Sequence, residues 1–327
     1  MRWPVLLVLL GLAAPGVGAQ ELFIKPVDPI ADEVEAAYVK GLNYLASTQT
    51  SSGTWSDSYG NQPAVVGLAV LAMLAHGEDP NAGLYSVAIK RGLDYILSQV
   101  DRETGYIGPS MYNHGFATLA LAEAYGTVLD PRLGPALQRA VDLIVSSQQR
   151  NPMSAWRYSP ESNDADTTVS GAQMVALFAA RNAGIAVSEE AIQKGVRFFL
   201  RCQTSDGGFG YTSNNGPNST RTAIGTLVLA LNKKKDTEAF KGALQYVERA
   251  TFQSEGYPFY HEYYMSQALF QSSEEAWNNW NQQNIKHLVT TQAPDGSWQG
   301  QHGPFFCTAA ALLSLALNYR FLPIYER

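Results

Sequence analysis

The sequence predicts an all-α fold in which six helical hairpins close into a ring, an (α/α)6 toroid. Amphipathic segments that carry charge alternate with segments that are apolar nearly all round, and the pairs recur mostly about every 50 residues. Between the two kinds of segment, a glutamine and a small residue followed by an aromatic recur. Because this period matches a pair of helices and not a heptad, the repeating unit is a helical hairpin.

Six amphipathic segments are the predicted outer helices, since a helix with one charged face turns that face to solvent. They cover residues 33–49, 85–100, 133–149, 188–203, 236–250 and 274–292. Four of these segments end in a similar frame, at Gln49, Gln148, Gln203 and Gln292, whereas the second is one residue shorter and ends at Gln99.

Each outer segment is followed by a turn in which a glycine or another small residue precedes an aromatic. The fullest versions are Asp-Gly-Ser-Trp at 295–298 and Asp-Gly-Gly-Phe at 206–209. Glycine permits the positive φ that the end of a helix needs. We expect the aromatic side chain to pack back on the helices that the turn joins.

Six apolar segments are the predicted inner helices, because a helix without a polar face must be buried on every side. They cover residues 64–75, 116–125, 169–180, 222–231, 262–270 and 305–317. Six buried helices surrounded by six amphipathic ones describe an inner barrel within an outer barrel. An open solenoid of six hairpins is the alternative, but its last helix needs a polar outer face, which segment 305–317 lacks.

The N-terminal segment has the features of a secretory signal peptide. One positive charge at Arg2 precedes an apolar run over 5–14, and small residues lead to Ala19. The run is too short to span a bilayer comfortably, so we expect no stable membrane span after cleavage and a secreted or periplasmic protein. An uncleaved N-terminal anchor is the alternative. The predicted organisation is a signal peptide at 1–19, an N-terminal extension at 20–32 and a single toroid domain at 33–327.

Charge and cysteine content exclude several classes of protein. The formal net charge is −6 and the only cluster of basic residues is the lysine run at 233–235, so we predict no nucleic-acid partner. Cys202 and Cys307 are too few for a disulfide framework. The His, Cys, Asp and Glu residues show no recognised spacing of metal ligands, and we predict neither a metal nor a cofactor.

Two turns resemble motifs of a known superfamily. Residues 292–298 (Gln-Ala-Pro-Asp-Gly-Ser-Trp) resemble the QW repeat of squalene and oxidosqualene cyclases, and residues 203–210 resemble the turn of protein prenyltransferase β subunits. The likeness runs from about residue 33 to 320 and implies the α/α toroid of the terpenoid cyclase and prenyltransferase superfamily. That toroid also serves complement-like thioester domains, so the resemblance does not decide the activity.

Triterpene cyclases of this superfamily protonate an alkene with the central aspartate of an Asp-x-Asp-Asp motif. Asp164 and Asp166 match its first two acidic positions, whereas Thr167 replaces the last. The resemblance therefore implies Asp166 as a candidate proton donor with Asp164 beside it. The alternative is that Asp166 or Thr167 caps the helix that begins near Val169.

The other chemistries of the superfamily lack their motifs. Prenyltransferases bind zinc with Asp and Cys from one inner helix and His from the next. Residues 260–264 resemble the histidine-bearing segment, but residues 218–222 of the preceding unit contain neither Asp nor Cys. Thioester domains need Cys-Gly-Glu-Gln, and neither cysteine lies in such a segment. We therefore predict neither zinc-dependent prenyl transfer nor a thioester.

Polar residues at the starts of the inner segments suggest a site. His114, Asp166, His261 and His302 each precede or begin an inner segment. Because the inner helices of a toroid run in the same direction, these residues are expected at one rim, where helix N-termini also favour anions. The cluster is compatible with a metal or acid–base site, and histidines that are solvated or hydrogen-bonded to the backbone are the alternative. The predicted binding residues are His114, Arg221, His261, Glu262 and His302.

Aromatic residues concentrate in the same turns and at the same helix starts. They offer either an apolar, cation-stabilising pocket wall or simple packing between helices. The set comprises Tyr112, Trp156, Tyr158, Phe209, Tyr211, Tyr257, Phe259, Tyr260, Tyr263, Tyr264, Phe305 and Phe306.

The leading functional hypothesis is an exported toroid whose inner rim binds a hydrophobic or extended small molecule or a protein partner, because the ring is intact and the catalytic motifs are incomplete. The first alternative is a cyclase-like isomerase that uses Asp166. The second is a polysaccharide hydrolase or lyase, for which Asp166, Glu123 and Glu262 are the candidate carboxylates.

Overall fold

The computed structural model describes residues 30–250, 252 and 256–325, and this part of the chain contains twelve α-helices. The predicted signal peptide at 1–19 and most of the extension at 20–32 lie outside the described residues. The odd-numbered helices are α1 (Asp32–Thr48), α3 (Ser86–Gln99), α5 (Leu133–Arg150), α7 (Glu189–Cys202), α9 (Glu238–Arg249) and α11 (Glu274–Thr291). The even-numbered helices are α2 (Pro63–Leu74), α4 (Met111–Ala124), α6 (Thr167–Asn182), α8 (Ser219–Leu231), α10 (Pro258–Ser272) and α12 (Pro304–Leu315).

The two sets of helices form two concentric layers. Each even-numbered helix packs on the next even-numbered one, and α12 packs on α2, so the inner barrel is closed. In α2 every residue except Ala64 is buried, whereas α7 buries one face that includes Phe198 and Phe199. The predicted (α/α)6 ring is confirmed, and the alternative of an open solenoid is wrong.

The recurrent glutamine joins neighbouring units. In four units its side-chain Nε2 donates to a backbone carbonyl in the first half of the next outer helix, at 2.7–2.9 Å. The last of these bonds runs from the final unit back to the first, across 255 positions in the sequence, and therefore helps to close the ring. The four bonds join Gln49 to Ala88, Gln148 to Ala191, Gln203 to Ala239 and Gln292 to Ala37.

The aromatic residue of the turn also acts as predicted. The indole N–H groups of Trp55, Trp156 and Trp298 donate to carbonyls near the end of the preceding outer helix, at 2.8–3.0 Å. Gly296 has a φ of 96°, and a Cβ at this position would collide with the carbonyl oxygen of Lys40 in α1. Only glycine fits this close approach between the last turn and the first helix.

The C-terminal residues close one end of the inner barrel. After α12, a short 3-10 helix over Pro323–Tyr325 lies against the C-terminal ends of the inner helices. The backbone N–H of Ile324 donates to Glu123 Oε2 at 3.4 Å, and Gln271 Nε2 donates to the Ile324 carbonyl at 3.3 Å. Tyr325 is buried. Within the described part of the chain, these contacts close the C-terminal end of the inner barrel.

Two further predictions concern single elements. Cys202 and Cys307 are both buried and unpaired, which agrees with the absence of a disulfide framework. Among the described helices, none combines the length and the apolar character needed to span a membrane.

Candidate binding cavity at the N-terminal rim of the inner barrel

A cavity of about 500 Å³ lies where the N-terminal ends of the inner helices meet. Half of its lining residues are aromatic, because each turn that leads into an inner helix places tyrosine or phenylalanine near the helix start. The tyrosines of the wall are Tyr59, Tyr112, Tyr158, Tyr211, Tyr257 and Tyr260. Val65, Phe116 and Phe306 add apolar surface.

The floor of the cavity is formed across the middle of the ring. Phe116 of α4 and Tyr263 of α10 come from opposite sides of the inner barrel, and their ring centroids lie 6.1 Å apart. Both side chains are buried. The lumen below the cavity is therefore filled by side chains and then by the C-terminal residues, so that the cavity is a blind pocket.

One wall is a stack of aromatic rings around His302. The His302 ring stacks on Tyr257 with centroids 4.7 Å apart and meets the edge of Phe306 at 5.1 Å. Burial lowers the pKa of His302, so this imidazole is predominantly neutral at physiological pH. His302 thus contributes a flat, weakly polar surface to the cavity.

The short hairpin between α1 and α2 supplies the acidic residue of the cavity. In this hairpin, formed by β1 (Ser56–Asp57) and β2 (Gly60–Asn61), the Asp57 carboxylate accepts the backbone N–H groups of Phe305 at 3.1 Å and Phe306 at 2.6 Å. It therefore caps α12 from a distant part of the chain. Burial raises the pKa of Asp57, and these two hydrogen bonds offset part of the rise.

Asp166 lies behind the cavity wall and caps α6. Its Oδ1 accepts the backbone N–H groups of Thr168 and Val169, both at 2.8 Å, and the Thr168 hydroxyl at 2.6 Å. The alternative of a helix cap is confirmed. Burial raises the pKa of Asp166, although these hydrogen bonds and the nearby Arg157 guanidinium act in the opposite direction.

A chain of hydroxyl groups connects Asp166 with the cavity. The Tyr112 hydroxyl, on the cavity wall, donates to Thr168 Oγ1 at 2.5 Å, and Thr168 in turn donates to Asp166. With Asp166 ionised, both hydrogens point away from the cavity. The Tyr260 hydroxyl lies beside the Tyr112 oxygen on the same wall.

Arg157 partly neutralises the negative charge of the two acidic residues that precede α6. Its guanidinium forms ion pairs with Asp164 at 3.3 Å and with Asp166 at 3.4 Å. The same group lies over the rings of Tyr158 and Tyr211, at 5.0 and 5.1 Å from their centroids. Arg157 carries no signal in the sequence, because its position in the turn after Trp156 matches no motif. Asp164 is exposed and points to solvent.

His261 does not line the cavity itself but contacts a residue that does. Its Nδ1 and the Thr220 hydroxyl, which lines the cavity, are 2.9 Å apart. The ring packs on Trp280 of α11 with centroids 5.7 Å apart. Burial lowers the pKa of His261 to about 4, so the imidazole is neutral and a weak base.

Glu262 faces the outer barrel instead of the cavity. Its Oε1 lies 3.3 Å from His287 Nε2 of α11, and the side chain is buried. Burial raises the pKa of Glu262 to about 8. Since Glu262 follows Tyr260 and His261 in one helical turn, the three side chains point in three different directions.

His114 packs between the two barrels and does not line the cavity. Its Nδ1 accepts the backbone N–H of Ile107 at 3.1 Å, and its Nε2 donates to the Ala140 carbonyl at 3.0 Å. Burial lowers the pKa of His114 to about 4. Both ring nitrogens are occupied by backbone groups, which gives this histidine a role in holding the turn against α5.

The predicted rim residues therefore separate into three groups. Arg221 and His302 line the cavity; Asp166 and His261 touch lining hydroxyls from behind; and Glu262, His114 and Asp164 face elsewhere. Among the described residues, no group of three or more His, Cys, Asp and Glu side chains could hold a metal ion.

Comparison with known proteins identifies the architecture. No family model matches the sequence. The type II terpene cyclase MstE from Scytonema is similar over 89% of this chain and 99% of its own, with a TM-score of 0.64 and 16% identity. A variant of the α-1,6-mannanase GH76A from Salegentibacter, in complex with α-1,6-mannotriose, is similar over 89% and 100%, with a TM-score of 0.68 and 9% identity.

The chain has the terpenoid cyclase-like α/α-toroid fold. A further MstE structure, of a variant in complex with geranylgeranyl dihydroxybenzoate, is similar over 89% of this chain and 98% of its own, with a TM-score of 0.62 and 16% identity. At these sequence identities the structural similarity establishes the toroid fold but not the activity, which has to be inferred from the residues of the cavity.

Of the aromatic residues noted in the sequence, some line the cavity of the toroid and others pack between its helices. Trp156 and Phe209 are fully buried in the helix layers. Sequence reasoning missed Tyr59 and Asp57, which the hairpin brings to the rim, and Phe116, which lies within an apolar inner helix. An isolated two-residue strand pair and a residue on an all-apolar helix leave no periodic signal in the sequence.

Proposed function

We propose that the protein binds a small organic ligand, apolar over most of its surface, in the cavity at the N-terminal rim of the inner barrel. We propose further that it acts outside the cytoplasm, on the strength of the signal-peptide features of residues 1–19. The observation that carries the proposal is the aromatic, blind cavity itself.

The size and lining of the cavity suit such a ligand. Small-molecule sites have volumes of about 300–1,000 Å³, are largely apolar or aromatic, and contain a few polar groups that fix the orientation. The cavity, at about 500 Å³, falls in this range, and six tyrosines give it apolar faces with polar edges. Toroids of the same fold hold ligands in their structures, geranylgeranyl dihydroxybenzoate in MstE and mannotriose in the mannanase, which supports a ligand-binding role.

A neutral fluorescent probe, N-phenylnaphthylamine, tests the proposal. Ala64 lines the cavity, and Ala64→Phe places a ring inside it. We expect the wild type to bind the probe and Ala64→Phe to bind it at least about tenfold more weakly, because the added ring occupies the site. Ala36→Phe, the same substitution on the exposed face of α1, is the matched control and keeps the wild-type affinity.

Two results would overturn the proposal. One is a wild type that does not bind the probe or other apolar aromatic molecules. The other is equal binding by wild type and Ala64→Phe, with both variants folded by circular dichroism.

A cyclase-like isomerase is the second candidate. The observation that favours it is the buried Asp166 carboxyl, whose pKa is raised by burial and which reaches the cavity through Thr168 and Tyr112. A protonated Asp166 with both hydroxyl hydrogens reversed can pass a proton to Tyr112. Product from squalene-type polyenes or geranylgeranyl aromatics in the wild type, lost in Asp166→Asn, is the expected result for this candidate. Absence of product from the wild type removes it.

A glycoside hydrolase has weaker support. Such enzymes use two carboxyl groups that flank the scissile bond. Asp57 is the only carboxylate among the described residues that lines the cavity, and backbone N–H groups already occupy both of its oxygens. Glu123 lies at the opposite end of the barrel, where it binds the Ile324 N–H, and Glu262 faces α11.

A further inference from the structure

We infer that the ligand carries an anionic group, a carboxylate, sulfonate or phosphate, and that Arg221 binds this group. The inference rests on the proposed function and adds the polarity of the ligand to it. It follows from comparing the hydrogen-bond acceptors and donors of the cavity wall.

The carboxylate and amide oxygens of the wall are already occupied by protein donors. Both Asp57 oxygens accept N–H groups of α12. Asn113 Oδ1 accepts the backbone N–H of Ala64 at 3.0 Å, and Gln62 Oε1 accepts Asn113 Nδ2 at 2.8 Å. A ligand rich in hydroxyl donors, such as a neutral oligosaccharide, therefore finds few free acceptors here.

The donors of the wall are not all occupied. Arg221 donates from its Nη2 to the Gly216 carbonyl, and its guanidinium makes no other hydrogen bond among the described residues. The hydroxyls of Tyr158 and Tyr211 are 2.7 Å apart and share one hydrogen bond, so one of their two hydrogens is free for a ligand. The free capacity of the cavity is thus on the donor side.

Arg221 differs from the neighbouring Arg157 in its charge balance. Arg157 has two carboxylate partners, Asp164 and Asp166. Arg221 has none among the described residues, and its guanidinium lies 5.9 Å from the centroid of the Tyr211 ring, over one face. A half-buried guanidinium without a counter-ion is electrostatically unfavourable, and an anion from the ligand supplies the missing charge.

The surroundings of Arg221 strengthen the attraction. Arg221 is the third residue of α8, so the positive end of the helix dipole adds to its own charge. The Asn218 side chain holds the Arg221 backbone N–H at 2.9 Å and fixes this first turn. Phe116, Phe306 and Val65 line the same cavity and can take the apolar part of the ligand. The expected ligand is therefore an amphipathic organic anion.

Two dyes that differ by one sulfonate test the inference. Anilinonaphthalene sulfonate and N-phenylnaphthylamine share the same aromatic rings, and only the first is anionic. We expect the wild type to bind the sulfonate more tightly than the neutral dye. In Arg221→Gln, we expect the ratio of the two affinities to fall at least about tenfold, because the charge-assisted hydrogen bonds are lost. Arg221→Lys keeps the charge without the planar donor pair, and an intermediate ratio is expected.

Arg201→Gln is the matched control. Arg201 also donates to one backbone carbonyl, that of Met153, and lies over one ring, that of Phe198, but on the outer helix α7. We expect it to keep the wild-type ratio. Ala64→Phe should weaken binding of both dyes, which places both in the cavity.

The outcomes separate the inference from the proposed function. If the wild type binds both dyes with equal affinity, or prefers the neutral one, the anionic ligand is excluded while the binding function stands. This comparison needs no variant, so it holds even if Arg221→Gln fails to fold. If a folded Arg221→Gln keeps the wild-type ratio, Arg221 is not the anion site. If neither dye binds to the wild type, the proposed function itself fails.

Discussion

The two ends of the inner barrel have opposite designs. At the C-terminal end of the inner helices, most connections to the outer helices are short, as at 183–188 and 232–237, and residues 323–325 close the lumen. At the N-terminal end, the connections are longer, as at 151–166 and 203–218, and their side chains form the walls of a cavity. One end of the inner barrel is filled by the chain itself, and the other is open and lined by side chains of the long connections.

The polar groups at the two ends show the same difference. At the closed end, the main chain of Ile324 satisfies Glu123 and Gln271. At the open rim, the carboxylates cap helices or pair with Arg157, while Arg221 pairs with no carboxylate among the described residues. A half-buried charge without a counter-ion is where an anionic ligand gains most. The comparison leads to four predictions, which follow in order of expected size.

The largest effect on the free energy of unfolding is expected at the closed end of the inner barrel. Tyr325 is buried beneath the inner barrel, and Tyr325→Ala should lower the free energy of unfolding by about 3–5 kcal/mol, as large-to-small substitutions of aromatic core residues do. Tyr59 at the open rim is 67% exposed, and Tyr59→Ala should change it by less than about 0.5 kcal/mol. Denaturant unfolding measures both. Similar values for the two variants would show that the C-terminal residues do not close the barrel.

The second prediction concerns pH and Glu262, behind the open rim. Because burial raises its pKa in the folded protein to about 8, the stability it contributes is fully present below its unfolded pKa, at about pH 4. That stability is lost as the pH rises through about 8, to an extent of a few kcal/mol. Glu262→Gln should remove this loss, so that the variant is the more stable protein at pH 9.

Unfolding free energies at several pH values between about 5 and 9 test this prediction. Glu274→Gln, at an exposed position of α11, is the control and should keep the wild-type pH dependence. A wild type whose stability follows the same pH dependence as that of Glu262→Gln would mean that Glu262 does not have a raised pKa in the folded protein.

The third prediction concerns the glutamines that join units at the open rim. Gln148 is fully buried and binds the Ala191 carbonyl, so Gln148→Ala should cost about 1–3 kcal/mol by leaving that carbonyl unsatisfied. Gln99, in the shorter unit, is exposed and binds only the neighbouring Ser98. Gln99→Ala should therefore change the unfolding free energy by less than about 0.5 kcal/mol. Equal costs would show that the register of the turn, and not the glutamine bond, joins the units.

The smallest stability effect is expected at the hairpin. Asp57→Ala removes the cap of α12 and should cost about 0.5–2 kcal/mol in thermal or denaturant unfolding. Asp236→Ala, at an exposed position between α8 and α9, serves as the control and should be close to neutral. A neutral Asp57→Ala would mean that water replaces the carboxylate and that the hairpin is not fastened to α12.

The layers and the ring could be predicted because their signal is local and repeated. Every apolar segment must be buried on all sides, and every amphipathic segment must cover it, so the alternation specifies two barrels. The glutamine and the Gly-aromatic turn made the same contacts in unit after unit, including the contact of Gln292 with Ala37 that closes the ring. The role of Asp166 as a helix cap could also be predicted from the sequence, because capping depends on residues adjacent in sequence.

Which residues line the cavity was decided only by the tertiary structure. His261 and Tyr260 are neighbours in the sequence, yet Tyr260 lines the cavity and His261 packs on Trp280. Successive side chains on a helix point in directions that differ by about 100°. A helix that is apolar all round has no polar face to show which of these directions points to solvent, so the sequence does not reveal which side chains face the cavity. Arg157 meets Asp166, and Asp57 meets α12, through contacts that only the closed ring creates. The sequence by itself thus determined the toroid and its rim, while the packing of one helix against the next decided which side chains line the cavity.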